Sequence, residues 1–222
     1  MVEIWSDVVC PWCYIGKRRF EAALEAFEHR DEVTVLWRSF ELDPEAPEMV
    51  DGTASERLAA KYGMSLERAK GLHVEMTERA AGEGLDFRFD LTRPGNTFDA
   101  HRLIHLAATS GHQAAAKERL MRAYFTEGEA IADPETLIRL IAEVGVPAED
   151  VRDVLEDERF AEDVREDEQL AGQLGIQGVP FFVIDRRFGV SGAQPTETLL
   201  AALERAWGER VDAGSRGAAA PR

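Results

Sequence analysis

The chain has 222 residues, of which 45% are hydrophobic and 31% charged, a composition typical of a globular protein with a sizeable core. Its formal charge of −16 opposes binding to nucleic-acid phosphates and to anionic membranes, so we expect neither partner. The amino-terminal segment lacks a basic region followed by an apolar run, and no stretch approaches the ~20 apolar residues of a membrane helix. We therefore expect a cytoplasmic protein, in which two neighbouring cysteines are more often catalytic, redox-sensing or metal-binding than a permanent crosslink.

The amino-terminal part of the chain is predicted to form a strand, a helix and a second strand. Residues 2–6 are a short β-prone run, and Pro11 occupies a position that the first turn of a helix accepts. The next apolar residues recur every three or four positions, as on one helix face, at Cys13, Gly16, Phe20, Leu24 and Phe27. Residues 33–42 are the second predicted strand, with a pattern that suggests cover on both faces. A helix between two strands favours a parallel pair.

The middle of the chain, from about residue 53 to about residue 172, is predicted to be helical. Ala, Glu, Arg and Leu dominate this block, and helix-start signals recur within it. Asp133 followed by Pro134 indicates a cap and a first helical position, and Ser65 and Thr97 are further candidate caps. The block has the pattern of a helical bundle placed inside another fold.

Strand-like sequence returns at residues 179–192, where FFVI and FGV, separated by DRR, predict a hairpin. A last helix is predicted after Pro195, with an apolar side formed by Leu199, Leu200, Leu203, Ala206 and Trp207. These elements predict an α/β fold of the thioredoxin type with a large all-helical insertion between the second and third strands. The predicted parts are a thioredoxin-like domain, a helical insertion and a disordered tail, over residues 1–52 with 173–208, 53–172 and 209–222, respectively.

The two cysteines of the chain, Cys10 and Cys13, lie in the sequence CPWC and have three possible roles. As zinc ligands they supply half of a usual site, which His101 and His105, one helical turn apart, could complete. As a structural crosslink they would close so short a loop that the bond contributes only about 2 kcal/mol. As a reactive dithiol they would be placed at the start of a helix.

The position of the pair favours the reactive dithiol. Cys10 directly precedes the predicted helix, where unpaired N–H groups and the helix dipole stabilise a thiolate. Lowering a thiol pKa from ~8.5 to ~5.5 requires about 4 kcal/mol of preference for the anion. Cys13 lies on the apolar stripe of the helix and should point inward. We therefore expect Cys10 to attack and Cys13 to resolve.

A second candidate feature is the sequence GVPFF, in which Pro180 begins a predicted strand. A cis Val179–Pro180 bond would point the Val179 backbone toward open space, where a bound chain could pair with it as an added strand. The alternative is an ordinary trans proline that starts an edge strand.

Several segments together resemble the DsbA-like thioredoxin superfamily: CPWC after the first strand, the helical insertion, GVPFFV, and the closing hairpin and helix. NTFDAHRL (residues 96–103) and SGAQ (residues 191–194) resemble its cytoplasmic FrnE-like branch. That branch is related to 2-hydroxychromene-2-carboxylate isomerases and kappa-class glutathione transferases. The resemblance covers residues 2–207.

The resemblance implies a protein dithiol–disulfide oxidoreductase or isomerase that acts on thiol- or disulfide-containing proteins. Cys10 and Cys13 match the family's redox pair and Pro180 its cis-proline. No cofactor is required, and glutathione is a candidate redox partner. The isomerase and transferase relatives resemble this chain but carry serine at the nucleophile position. Exported DsbA proteins carry Pro-His between the cysteines, so the Pro11-Trp12 pair here puts strong oxidising power in question.

The remaining candidate residues have two interpretations each. Asn96 and His101 match the N-x-x-x-x-H part of the family pattern and could face the dithiol as substrate-binding residues, like Pro11, Trp12 and Val179. Alternatively Asn96 caps a helix and His101 makes a buried hydrogen bond. Asp7 could relay a proton to or from Cys13 or simply end the first strand. Ser191 and Gln194 match a glutathione-holding segment in relatives, although capping of the last helix explains them equally well.

Two further functions stay open at this point. One is a glutathione-dependent isomerase or transferase for small aromatic or polyketide-like molecules, with Cys10 in the role of the serine. The other is a non-catalytic module that binds proteins through the groove beside Val179.

Overall fold

The computed structural model describes residues 1–47 and 52–218 and contains one four-stranded sheet. Its strands are β1 (Val2–Ser6), β2 (Val35–Ser39), β3 (Phe181–Ile184) and β4 (Phe188–Ser191), in the order β2-β1-β3-β4. β2 runs parallel to β1, whereas β3 is antiparallel to both β1 and β4. The parallel pair and the closing hairpin that the sequence predicted are therefore confirmed.

The helices divide into two that cover the sheet and a set that forms the insertion. The two helices that cover the sheet are α1 (Pro11–Ala26) and α9 (Thr196–Ala218), which contact each other. The insertion contains α2 (Ala54–Tyr62), α3 (Leu66–Ala81), α4 (Phe98–Thr109), α5 (Gln113–Arg122), α6 (Pro134–Ala142), α7 (Ala148–Glu156) and α8 (Ala161–Gln173). This arrangement confirms the α/β fold with an all-helical insertion between the second and third strands. None of the helices in the described ranges is long and apolar enough to cross a bilayer.

The second strand is shorter than the predicted span of residues 33–42 because its end leaves the sheet. β1 stops at Ser6, so the residues after Ser39 have no neighbouring strand to pair with. Their backbone N–H groups instead bond to side chains, that of Glu41 to the Glu168 carboxylate and that of Leu42 to Asp7. A buried N–H needs such a partner, which explains the departure from the ladder.

Two apolar cores meet at α1. One core lies between the sheet, α1 and α9 and includes Phe20 and Phe182, whose ring centroids are 5.5 Å apart. The other fills the insertion and extends to Cys13, Tyr14 and Ile15 on α1. The start of α1, with the dithiol, therefore lies where the insertion joins the thioredoxin-like part.

The helix caps are largely as predicted, with one correction. Ser65 and Asp133 accept hydrogen bonds from backbone N–H groups in the first turns of α3 and α6. Thr97 precedes α4, but its side chain makes no capping bond. Asn96 makes that contact instead, because its Oδ1 accepts a 2.8 Å hydrogen bond from the N–H of Phe98.

The last helix is longer than expected. α9 continues to Ala218, so residues 209–218 are helical where the sequence predicted a disordered tail. No proline interrupts the chain between Pro195 and Pro221, so nothing forces the helix to stop earlier. Residues 219–222, the rest of the predicted tail, lie outside the described ranges.

Candidate active site

The two cysteines occupy the first turn of α1. Cys10 is the extended residue that precedes the helix, with φ −87° and ψ 114°, and Cys13 lies one turn later. Both are free thiols and both are buried, with exposed fractions of 4% and 1%. Cys10 nevertheless lines a cavity of about 1150 Å³, whereas Cys13 does not. Cys10 is thus the sulfur that a molecule in the cavity can reach.

The loop before β3 faces Cys10. The Val179–Pro180 peptide bond is cis, as the sequence predicted. The Cys10 thiol donates a hydrogen bond to the Val179 carbonyl oxygen, with 3.6 Å between sulfur and oxygen. Val179 also lines the cavity. The loop therefore presents its backbone beside the reactive sulfur.

Gly16 allows this loop to approach α1 closely. A Cβ atom on Gly16 would lie 2.8 Å from Cγ of Pro180 and 3.4 Å from Cβ of Ala193. The first distance is a clash with a ring that has little freedom to move. The small residue on the apolar stripe is therefore required by the packing of the proline loop.

We expect Gly16→Ala to destabilise the protein. Alanine gains about 1 kcal/mol of helix propensity, but forcing extra atoms into a packed site costs about 1–3 kcal/mol, so the net result should be a loss. Urea denaturation would measure the free energy of unfolding. The matched control is Gly71→Ala in α3, where an added Cβ meets nothing within 4 Å and should stabilise by up to about 1 kcal/mol. Equal stabilisation by both variants would contradict the clash.

The environment of Cys10 raises the pKa of its thiol well above the ordinary value. The hydrogen bond between Cys10 and Cys13, burial and the Asp7 carboxylate all act in that direction. The backbone N–H of Cys13 acts in the opposite direction but is outweighed. The predicted lowering of the Cys10 pKa is therefore wrong for this arrangement. The prediction counted the N–H groups and the dipole of the helix start but neither the hydrogen bond with Cys13 nor the burial of the thiol.

A buried lysine lies close to the dithiol. Lys117, on α5, is 1% exposed, and its Nζ donates a 2.8 Å hydrogen bond to the backbone carbonyl oxygen of Ser6. Burial lowers the pKa of Lys117 to about 8, although the charges of Cys13, Asp7 and Cys10 oppose that shift. Sequence analysis missed this residue because it sits in an ordinary helical stretch, QAAAKERL. It places a cation next to the pair.

Asp7 is fully enclosed where β1 ends. One carboxylate oxygen accepts a 2.8 Å hydrogen bond from the Leu42 N–H, and the other lies 3.4 Å from Nε2 of His101. Burial alone would raise the pKa of Asp7, but His101 and the Leu42 N–H more than offset it, so the pKa is lowered. Asp7 ends the strand, as one interpretation held, and also adds a negative charge beside Cys10.

Asn96 and His101, which were expected to face the dithiol from the insertion, contact other residues instead. The His101 ring contacts Asp7 and does not line the cavity. Asn96 caps α4, and its Nδ2 donates to the Ala46 carbonyl oxygen at 3.1 Å, which holds the segment after β2. The capping interpretation of Asn96 is therefore confirmed. His101 is buried beside Asp7, but its Nε2 makes no hydrogen bond with the described residues, so the expected buried hydrogen bond is not found.

Of the remaining sequence candidates, two line the cavity and two lie outside it. Pro11 and Trp12 line the cavity, and the Trp12 side chain is 38% exposed. Gln194 Nε2 donates a 2.8 Å hydrogen bond to the Ser191 carbonyl oxygen, a local contact between β4 and α9. Pro11 and Trp12 are thus placed where a substrate can touch them, and the Ser191–Gln194 pair stabilises a turn.

Zinc was the first alternative for the cysteines. Within residues 1–47 and 52–218, no group of three or more His, Cys, Asp or Glu side chains is arranged to hold a metal ion. His105 bonds elsewhere: its Nε2 lies 3.1 Å from Ser39 Oγ and 3.1 Å from Asp167 Oδ2.

Comparisons with known proteins agree with this geometry. The family model of the DSBA-like thioredoxin domain matches residues 1–204. A probable DsbA oxidoreductase from Streptomyces coelicolor is 50% identical, with a TM-score of 0.90 over 94% of this chain and 90% of that one. A 2-hydroxychromene-2-carboxylate isomerase is 17% identical, with a TM-score of 0.70 over 95% and 98% of the two chains. The cytosolic disulfide reductase DsbM from Pseudomonas aeruginosa, solved with GSH, is 20% identical, with a TM-score of 0.64 over 92% and 97%. These last two likenesses show the fold alone.

Proposed function

The chain belongs to the DSBA-like thioredoxin domain family, as its sequence resemblance implied, and from that membership we propose that it catalyses thiol–disulfide exchange. Cys10 is the attacking residue and Cys13 the resolving residue. The observation that carries this assignment is that Cys10 lines the cavity, whereas Cys13 lies behind it and is 1% exposed. Only the first sulfur can meet a substrate disulfide directly.

The reaction transfers two electrons in two displacements. The Cys10 sulfur attacks one sulfur of the substrate disulfide, a mixed disulfide forms and the first substrate thiolate leaves. The Cys13 sulfur then attacks Cys10, which forms the Cys10–Cys13 disulfide and releases the second substrate thiolate. In reverse, the same steps oxidise a substrate dithiol.

Lys117 stabilises the negative charge that this chemistry develops. Its ammonium group lies close enough to both cysteines for their charges to affect its pKa. A cation in a buried site favours a thiolate more strongly than the same cation in water. The Cys13 hydrogen bond, burial and the Asp7 charge nevertheless keep the pKa of Cys10 raised, so Lys117 acts as the negative charge develops on sulfur.

We propose thiol- or disulfide-containing proteins as substrates and glutathione as a redox partner. The Val179 backbone beside Cys10 supports pairing with an extended segment, and Pro11 and Trp12 would contact the same segment. The reductase that shares the fold is described as cytosolic and was solved with GSH, and we carry glutathione and a cytoplasmic setting over from it as proposals.

A redox titration against glutathione buffers tests the proposal. Trp12 lies between the two cysteines, so its emission should report the change from dithiol to disulfide. We expect one two-electron transition, with a potential between about −270 and about −120 mV, as for known C-x-x-C proteins. The Cys13→Ser variant should lack it. A wild-type protein whose pair does not cycle in this range would contradict the proposed function.

The cavity also favours a second candidate, a glutathione-dependent isomerase or transferase for small aromatic molecules. Its volume of about 1150 Å³ is larger than an attacking sulfur needs, and aromatic side chains line it. This function predicts activity that survives loss of Cys13, whereas disulfide exchange does not. The activity of the Cys13→Ser variant therefore distinguishes the isomerase or transferase function from disulfide exchange.

A further inference from the structure

We propose that the cavity beside Cys10 binds low-mass disulfides that carry a carboxylate group on an aromatic body. This inference rests on the proposed thiol–disulfide exchange and specifies the substrate class of the same site. It depends on three features of the cavity wall: an arginine whose Nη1 has no hydrogen-bond partner in the described part of the chain, two further cations and a set of aromatic rings.

Arg57 on α2 is the feature that points to an anion. It lines the cavity and is half-buried, and its Nη1 is shielded from solvent without a hydrogen-bond partner among the described residues. A buried guanidinium N–H without an acceptor is costly, so the site favours a ligand that supplies one. Arg57 lies near Tyr124, since its charge partly offsets the burial that raises the pKa of that phenol to about 12.

Two further cations line the same cavity, Lys61 on α2 and Arg79 on α3. Neither forms an ion pair with the part of the chain that the structure describes. Asp43 and Glu75 also line the cavity and are exposed to water, as are Lys61 and Arg79, whereas Arg57 is half-buried and both oxygens of the buried Asp7 accept hydrogen bonds. In a chain with a formal charge of −16, the wall of this cavity carries as many cations as carboxylates, and the three cations have no ion pair within residues 1–47 and 52–218. They give an entering carboxylate a favourable partner.

The walls suit a planar, apolar body. The aromatic side chains that line the cavity are Trp12, Tyr62, Phe89, Tyr124 and Phe125. The Arg79 guanidinium lies 5.8 Å from the Trp12 ring centroid, so a charge and a ring surface adjoin in the wall of the cavity that Cys10 also lines. The His73 ring stacks on Phe89 at 4.1 Å. A cavity of about 1150 Å³ has the size of a small-molecule site and can hold an aryl disulfide.

The reaction balances with the dithiol as the electron donor. Cys10 attacks one sulfur of the aryl disulfide, and one aryl thiolate leaves. Cys13 then displaces the second aryl thiolate, and the protein is left with one disulfide. Two electrons pass from the protein to the small molecule, and the protons of the two thiols pass to solvent as the aryl thiolates leave, so a single turnover needs no added reductant.

The test compares two aryl disulfides in single-turnover reactions with the reduced protein. Dithiobis(nitrobenzoate) carries a carboxylate on each ring, whereas dithiodipyridine is an uncharged aromatic disulfide, and both release an absorbing thiol. We expect Arg57→Met to lower the ratio of their rate constants, charged to uncharged, about tenfold, as for loss of one charge-assisted hydrogen bond. Arg57→Lys should restore most of the ratio. The matched control is Arg68→Met on α3, an exposed arginine outside the cavity, which should leave the ratio within about twofold of the wild-type value.

The outcomes separate the inference from the function on which it rests. A ratio that falls in Arg57→Met but not in Arg68→Met supports the inference. An unchanged ratio, or an equal fall in both variants, overturns it while exchange itself stands. A wild-type protein that reacts with neither disulfide overturns the proposed function and the inference together.

Discussion

Replacement of Cys10 by serine is expected to abolish disulfide reduction, whereas replacement of Cys13 should trap the substrate on the protein. Cys10 is the sulfur that reaches the cavity, and a serine hydroxyl is a far weaker nucleophile than a thiol. Loss of the attacking group should lower the rate at least about a thousandfold. In Cys13→Ser the first displacement still occurs, but no second sulfur stands behind Cys10 to release the product.

The measurement is mass spectrometry of each variant after incubation with a disulfide-bonded protein or with glutathione disulfide. Cys13→Ser should carry one substrate moiety through Cys10, and dithiothreitol should release it. Cys10→Ser should carry none. The assignment of roles would be reversed if Cys10→Ser, and not Cys13→Ser, accumulated the mixed disulfide. Full turnover by Cys10→Ser would overturn the mechanism.

Lys117→Met is expected to make the protein more stable and its dithiol less reactive. The pKa of about 8 in the folded protein lies below the ordinary lysine value of about 10.4, so holding the charge in the core costs about 3 kcal/mol below pH 8. Between these two values the unfolded chain binds more protons, so the wild-type protein gains stability as the pH rises through that window. The methionine variant should lack this gain and should be the more stable protein at neutral pH.

Urea denaturation of the oxidised protein between pH 7 and pH 10 measures the effect without titrating thiols, and because the thiolate charges that raise the pKa of Lys117 are absent there, the gain in stability should begin at a lower pH than in the dithiol form. The matched control is Lys70→Met, which removes an exposed lysine at 55% side-chain exposure and should retain the wild-type pH dependence. In the reduced Lys117→Met variant, alkylation of Cys10 at neutral pH should slow about tenfold, the equivalent of one pKa unit. A variant with unchanged thiol reactivity would show that Lys117 does not stabilise the thiolate.

The parts of the fold that local sequence determines could be predicted. Proline at the first position of α1, the two strand-like runs of the hairpin and the cap at Asp133 depend on residues a few positions apart. The same holds for the position of Cys10 before the helix. Pro180 could be predicted as a site residue because proline is tolerated at only a few positions of a strand, one of which is its start.

The buried charges and pKa shifts of the site could not be predicted in full because most of them depend on contacts between residues far apart in the sequence. Lys117 meets the Ser6 carbonyl across 111 positions of sequence, and nothing in its neighbours distinguishes it from a surface lysine. The hydrogen bond with Cys13 and the burial of Cys10, to which the packing of the insertion against α1 contributes, together reverse the expected direction of its pKa. Arg57 likewise becomes a candidate binding residue only because it lines the cavity that α2 helps to enclose, a position that the sequence does not indicate.

The junction at α1 has a consequence for any attempt to shorten this protein. The Tyr14 hydroxyl donates to Glu118 at 2.7 Å, and the buried Lys17 ammonium lies 2.6 Å from the same carboxylate, so a helix of the insertion neutralises charges on the helix that bears the dithiol. Excising the insertion to obtain a minimal redox domain would remove Glu118, leave the Lys17 ammonium paired only with the more exposed Glu21, and strip the apolar cover from Ile15. Trimming by protease or by gene truncation should therefore yield an insoluble fragment, and a miniaturised version would need both positions redesigned.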